Sequence, residues 1–172
     1  MILSPKMQTA AVGQIEISDI PILIGIAEKC RLSYWSHKNF VDELARPDSI
    51  MLRFMLPEPR IVGFIVGRIV SGGSDEFPME SEIYNIGVDR EFQGLGFGQK
   101  LFDAFLEQCR KAQAAQIWLE VRASNEKALA FYERNEFVKY SVRKAFYANP
   151  TEDAVIMCRE IENTIERQQN RA

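Results

Sequence analysis

Histidine is nearly missing: the 172-residue chain holds one, His37, beside three cysteines, Cys30, Cys109 and Cys158, far apart in sequence. No zinc pattern can be assembled from that set. The cysteines are odd in number and two of them fall on apolar periodic positions, so buried free thiols in a reduced cytoplasm are expected. Long apolar runs are lacking too. No stretch approaches the roughly 20 residues a transmembrane helix needs. The start, "MILSPKMQTAAVG", has neither the charged nor the apolar region of a signal peptide. Net charge is low: a net −3 gives no electrostatic reason for a nucleic-acid or membrane partner. No internal repeat or low-complexity run appears. These absences predict a soluble, cytoplasmic protein with no metal.

What is present is an ordinary globular balance, 47% apolar and 26% charged. It predicts a single domain over residues 1–162 with a loose tail over 163–172. "GQIEIS" alternates and reads as a first strand. Asp19 then caps a helix to about Arg31, with Pro21 in its first turn. Ser36 caps a second, short helix that turns Phe40, Val41 and Leu44 inward, with His37 on its surface. "SIMLRFML", the turn "PEPR" and "IVGFIVGRIV" read as a hairpin. "SGGSDEFPME" reads as a loop, and "SEIYNIGV" as the next strand. A helix carrying Leu101, Phe102, Phe105, Leu106 and Cys109 on one face follows. Then come a strand, "AQIWLEV", a helix capped by Ser124 or Asn125, and two closing strands around "YANPT". The order predicts an α+β fold, a mixed sheet with helices on both faces and one strand–helix–strand crossover at its centre. Open sheets bind ligands at such a crossover.

The crossover carries "QGLGFGQ", in which Gly94, Gly96 and Gly98 precede a helix although each glycine costs stability in an ordered element. A P-loop would need Gly-Lys-Ser/Thr after four intervening residues, which is absent. A dinucleotide fingerprint would need a further glycine where Gln99, or in the other register Leu101, stands. Glu120 does fall about where a ribose-binding acid would, but three leading strands oppose that fold. The pattern that fits is Gln/Arg-x-x-Gly-x-Gly/Ala, met by Gln93, Gly96 and Gly98. Backbone N–H groups from Gly94 through Leu95, Gly96, Phe97 and Gly98 to Gln99 would then form a positive nest for a pyrophosphate. The bland alternative is a flexible turn.

The segment resembles the acetyl-CoA site of the GNAT acyltransferase superfamily. "IWLEVRASNEKALAFYERNEF" narrows the resemblance to the bacterial ribosomal-protein-alanine N-acetyltransferases. That family shows Leu-Glu-Val-Arg-x-Ser-Asn, a helix with Ala and Leu-Tyr-Glu, then Gly-Phe. "YWSHKNFVDEL" and "RKAFYANPTEDAVIM" are similar to its substrate-side helix and its penultimate loop, so the likeness runs over about residues 14 to 160. The resemblance implies a GNAT-type sheet of about seven strands whose two central strands splay, with acetyl-CoA as co-substrate. Its pantetheine would pair with the backbone of Ile86, Gly87 and Val88, which could also hold an oxyanion. Glu120 would be the general base and Tyr132 the proton donor to the departing thiolate, with Asn125 touching the cofactor. Trp35, Tyr84 and Tyr147 would grip the peptide. Read without the resemblance, these are a strand glutamate, a core aromatic, a helix cap and ordinary packing.

The resemblance further implies a protein N-terminus as partner, favouring the N-terminal alanine of a ribosomal protein, and a monomer or homodimer. Another amine (a lysine side chain, a polyamine or an aminoglycoside) and a non-catalytic acetyl-CoA-binding module are the alternatives. Three departures stand out. Gly94 and Leu95 occupy positions where the family has basic residues. Glu136 stands where it has glycine, so Asn135 is expected to take the left-handed cap. "FYANPT" is one residue longer than the family's loop.

Overall fold

The structure is a computed structural model that describes residues 10–70 and 78–162. The tail over 163–172 and most of the expected "SGGSDEFPME" loop lie outside the described residues. Seven strands and four helices follow one another as β1 (Ala11–Gln14), α1 (Ile20–Cys30), α2 (His37–Leu44), β2 (Ser49–Leu56), β3 (Arg60–Val70), β4 (Glu80–Val88), α3 (Phe97–Lys111), β5 (Gln116–Arg122), α4 (Glu126–Arg134), β6 (Val138–Ala148) and β7 (Thr151–Glu160). The strands form one mixed sheet in the order β1-β2-β3-β4-β5-β7-β6. β4 and β5 run parallel, joined through α3, while β1–β2, β5–β7 and β6–β7 are antiparallel. A parallel neighbour requires such a crossover. No described helix is long and apolar enough to cross a membrane.

The chain divides into two compact units, one of the residues up to Gly67 with Asn85–Glu107, the other of Arg68–Tyr84 with the residues from Gln108 onward. In the first, the expected strand over "GQIEIS" ends early, at Gln14, and Ile17–Asp19 form a 3-10 turn. Asp19 explains it. Its carboxylate accepts from the Glu16 N–H at 2.7 Å and from the Arg53 guanidinium, closing the turn instead of capping α1. Ser36 does cap α2, accepting from the Asn39 N–H at 3.2 Å. Of that helix's expected inward trio only Phe40 is fully buried, while Glu43 is buried as well. Phe40 meets Phe64 edge-on at 6.1 Å, and Phe54 stacks on Phe97 at 4.5 Å. Leu101, Phe102, Phe105 and Leu106 of α3 are buried as their spacing predicts.

In the second unit, alternation along β5 buries Ile117, Leu119 and Val121 and half-buries Trp118, Glu120 and Arg122. Cys109 and Cys158 are the two buried thiols, both free, and burial pushes each up to about 11. Cys109 donates to the Ser81 hydroxyl at 3.3 Å, and that hydroxyl donates to the Gln116 carbonyl at 3.2 Å, so these buried polar groups are satisfied. The expected "YANPT" loop is mostly strand. Only Asn149 and Pro150 separate β6 from β7, and β6 absorbs its excess length in register shifts at Lys139/Ser141 and Arg143/Tyr147. Bulges of this kind re-aim side chains.

Candidate active site

In the first unit, Gly94 and Gly96 have φ of +80° and +83°, where a side chain costs about 1–2 kcal/mol. A Cβ built on either would meet nothing within 4 Å, so the backbone is open on that side. Gly98 differs, lying inside the first turn of α3 without a positive φ. The Gly96 carbonyl accepts from the Lys100 N–H at 3.1 Å, the first turn of the helix, so the amides before it have no intrahelical partner. Open glycine backbone, orphan amides and a positive helix end fit a pyrophosphate.

Upstream, the Gln93 amide donates to the Val88 carbonyl at 3.0 Å, and the Cys30 thiol donates to the same oxygen at 3.1 Å. Both brace the end of β4. Burial, then the Asp89 charge, push the Cys30 thiol up. Asp89 is held low by its hydrogen bond from Lys29 at 2.8 Å. Gly63 and Gly87 let β3 and β4 approach closely: a Cβ on Gly63 would stand 2.9 Å from the Gly87 carbonyl oxygen. Ile86 and Val88 are half-buried on the opposite side of β4 from Gly87. Trp35, half-buried, packs edge-on against Phe40 at 5.3 Å.

The second unit gathers the titratable candidates. Glu120 accepts from Arg143 at 2.5 Å, although 23 residues separate them. The register explains the meeting, because Arg122 of β5 and Arg143 of β6 both pair with Ala154 of β7. The Arg143 guanidinium also covers the Phe146 ring at 4.2 Å. Tyr147 lies under the Arg122 guanidinium, 4.1 Å from its ring centroid. Arg122 is fixed in turn by Glu152 at 3.2 Å, whose other oxygen accepts from the Ser124 N–H at 2.5 Å. Those bonds, the Ser124 one first, hold Glu152 below its usual range. Burial raises Tyr147, and the Glu120 charge raises it further. Tyr132 is buried, with ring contacts to Phe131 and Phe137 at 5.5 and 5.4 Å. Burial, then Tyr147, push its phenol well above its ordinary value.

Tyr84 packs its ring against Arg68, 5.2 Å from the guanidinium carbon, and hydrogen-bonds Glu82. Asn125, not Ser124, caps α4, accepting from the Ala128 N–H at 3.2 Å. Asn135 does not take the left-handed conformation. Glu136 does, at φ +65°, in the place where the resembled family has glycine. Thus Tyr84, Glu120, Tyr132, Tyr147 and Asn125 share one unit, whereas Trp35, Ile86–Val88 and the glycine turn belong to the other. Sequence reading missed Glu82, Arg122, Arg143 and Glu152. The period-two alternation of "SEIYNIGV" and "IWLEVR" could have found the first two, since it puts Glu82 with Tyr84 and Arg122 with Glu120. Nothing local could have paired Arg143 with Glu120.

The first unit thus offers open backbone for an anion at the start of α3, and the second gathers Glu120 with Tyr147 and the buried Tyr132. Residues 20–137 match the family model described as acetyltransferase (GNAT) family. The chain is 30% identical over 149 residues to the [ribosomal protein bS18]-alanine N-acetyltransferase of Escherichia coli strain K12, covering 85% of this chain and 94% of that one. The crystal structure of the E. coli ribosomal-protein-S18-alanine N-acetyltransferase superposes with a TM-score of 0.77 at 27% identity, over 90% and 95% of the two chains. Ard1 from Thermoplasma volcanium superposes at 0.78 and 26% identity, over 91% of this chain and 100% of that one. The chain therefore belongs to the acetyltransferase (GNAT) family and is an acetyl-CoA-dependent N-acetyltransferase.

Proposed function

We propose that this enzyme acetylates the N-terminal α-amine of a protein, with the N-terminal alanine of a ribosomal protein as its favoured acceptor. In this reading residues 1–162 are assigned as one N-acetyltransferase domain. Acetyl-CoA supplies an activated thioester when bound. The amides from Gly94 to Gln99 hold its pyrophosphate, with Gln93 bracing the strand end and Asn125 at the rim of α4. Backbone groups of Ile86, Gly87 and Val88 pair with the pantetheine arm. Trp35, Tyr84 and Tyr147 grip the first residues of the acceptor, and the Arg122–Glu152 bracket fixes the Tyr147 ring. Glu120 accepts a proton from the amine, and the Tyr132 hydroxyl donates to the departing sulfur.

The observation that carries this reading is that Glu120, held by Arg143 at 2.5 Å, shares one unit with Tyr147, whose ring lies 4.1 Å under Arg122, and with the buried Tyr132. Acid–base economy supports an α-amine. Its pKa of about 7.7–8.0 lies well below the roughly 10.4 of lysine, which would demand roughly 3–4 kcal/mol more at neutral pH. The likeness to the E. coli bS18-alanine enzyme points the same way.

The test is mass spectrometry of an alanine-initiated peptide carrying one internal lysine, incubated with the enzyme and acetyl-CoA. Acetyl on the α-amine is expected, and Glu120→Gln should lower kcat/KM about 10²–10⁴-fold without weakening acetyl-CoA binding. Acetyl on the lysine alone would overturn the acceptor. An unimpaired Glu120→Gln would overturn the base.

A further inference from the structure

Removing one proton from the acceptor leaves its chemistry incomplete. An α-amine at neutral pH arrives largely as R–NH3⁺, since its pKa is about 7.7–8.0. The balanced reaction is R–NH3⁺ plus acetyl-CoA giving acetyl–NH–R, CoA–SH and H⁺. A C–N bond forms, a C–S bond breaks, and nitrogen gives up two protons. One ends on sulfur and the other in water. Glu120 accounts for only one of the two departures from nitrogen.

We propose that Glu82 is the second proton acceptor, taking the ammonium proton that must leave before nitrogen can attack, while Glu120 takes the one that leaves as the C–N bond forms. This rests on the assignment of Glu120 and Tyr132 made under the proposed function. After each turnover Glu82 returns its proton to water, which closes the balance.

Position makes the case. Glu82 is half-buried on β4, on the same strand face as Tyr84. It lies opposite Trp118 in the parallel β4–β5 register, so Glu120 is its diagonal neighbour two residues along β5. Across paired strands a diagonal neighbour is within reach of long side chains. The two carboxylates differ in their company. Glu120 is engaged by the Arg143 guanidinium at 2.5 Å. Glu82 makes no ion pair among the described residues; it has the hydrogen bond from Tyr84 and feels Arg68 through space. An ammonium arriving beside Glu82 displaces no guanidinium, whereas beside Glu120 it competes with Arg143. The half-buried carboxylate that no guanidinium contacts directly is therefore the better partner for the charged form of the acceptor.

Electrostatics agrees in sign. Burial, then the charge of Glu120, raise Glu82, against the Tyr84 hydrogen bond and Arg68, and the net direction is upward. Glu80 shares the same face of β4, and Arg122, Glu120 and the Arg143 paired to it present the remaining charges from β5 and β6. A raised carboxylate binds a proton more strongly than ordinary glutamate and is a base only above its own pKa. The acid limb that Glu82 contributes to the rate profile lies above the ordinary glutamate range.

The experiment is the pH profile of kcat/KM, from pH 5.5 to 9.5, for an alanine-initiated peptide with wild type, Glu82→Gln and Glu120→Gln. Glu82→Gln should lose about tenfold at pH 7, where only about one amine in ten is already neutral. Its deficit should shrink as pH passes the amine's value of about 8, because water has then removed the first proton. The Glu120→Gln deficit should persist across that range. Glu82→Asp, which keeps a carboxylate, should recover most of that loss, and acetyl-CoA binding and melting temperature should match wild type in all three variants. A Glu82→Gln deficit that is absent, or constant with pH, would overturn the inference while leaving the Glu120 reading standing. So would an aspartate variant no better than glutamine. Absence of α-amine acetylation by wild type would overturn the acceptor reading itself, and that is seen before any variant is compared.

Discussion

Gly63→Ala probes how the fold presents the backbone of β4. The new Cβ would stand 2.9 Å from the Gly87 carbonyl oxygen and 3.1 Å from both Leu101 Cδ1 and Val88 Cγ2. The two side chains can turn by a few tenths of an ångström. The carbonyl is backbone, and it yields only if β4 shifts at Gly87 and Val88, two of the residues assigned to the pantetheine arm. Overpacking of this kind costs about 1–3 kcal/mol. Removing a glycine from the unfolded chain offsets about 0.4–1 kcal/mol. The net loss is about 1–2 kcal/mol, which for a chain of this size lowers Tm by about 3–6 °C.

Two other glycines give matched controls, because a Cβ on Gly13 of β1 or Gly25 of α1 would meet nothing within 4 Å, and neither has a positive φ. Gly13→Ala and Gly25→Ala should each gain about 0.4–1 kcal/mol. Thermal melts of the three variants, with acetyl-CoA titrations on each, make the assay. Affinity should fall about tenfold in Gly63→Ala, equivalent to about 1.4 kcal/mol, and hold in the controls. A Gly63→Ala protein that melts with the controls and binds acetyl-CoA as wild type does would refute the argument that the β3–β4 approach sets the Gly87 carbonyl.

Tyr132→Phe keeps the ring contacts to Phe131 and Phe137 and removes only the hydroxyl. Its melting temperature should stay within a few degrees while kcat falls about 10²-fold, and steady-state rates equal to wild type would remove Tyr132 from the chemistry. Glu136→Gly releases a side chain from φ +65°, worth about 1 kcal/mol, and gives up an exposed carboxylate's pair with Arg159, worth about 0.2–1 kcal/mol. A Tm rise of about 1–2 °C is expected. A fall would show that the pair with Arg159 outweighs the backbone strain.

How much of this was legible in the sequence follows from the distance over which each feature is determined. The glycine turn, the buried face of α3 and the Asn125 cap depend on neighbours within one or two turns, and local reading reached them. Glu120 and Tyr132 are proposed because the run around them resembles a family, and alternation gave the facing of Glu120. The first strand was over-read because "GQIEIS" does alternate, but Arg53, 34 residues away, pairs with Asp19 and ends the extended backbone. The left-handed residue after α4 was misplaced by one because asparagine tolerates that conformation better than glutamate, yet the chain geometry puts it at Glu136. Arg143 was out of reach for a further reason. Its meeting with Glu120 requires the β5–β7 and β6–β7 registers together, and a bulge in β6 changes which side chains follow it.

The raised Tyr132 constrains how the reaction can end. A thiol such as cysteine titrates near 8.5 and a free phenol near 10, so a full proton transfer from phenol to thiolate already runs uphill by about 2 kcal/mol. Burial of Tyr132 adds to that cost. A buried phenolate is thus not a resting product here. In the proposed role the hydroxyl would act chiefly by holding a hydrogen bond to sulfur as its charge develops, and the phenol would have to recover any proton it yields within the same turnover. Raising its pKa has a compensating effect, for Tyr132 stays a donor at every pH where the amine is substrate. Any alkaline fall in kcat then has to come from a group other than Tyr132. If Tyr132→Phe lost its deficit above pH 9, as a donor titrating near its ordinary value would require, the buried-donor argument would fail and Tyr147, half-exposed and coupled to Glu120, would become the better candidate.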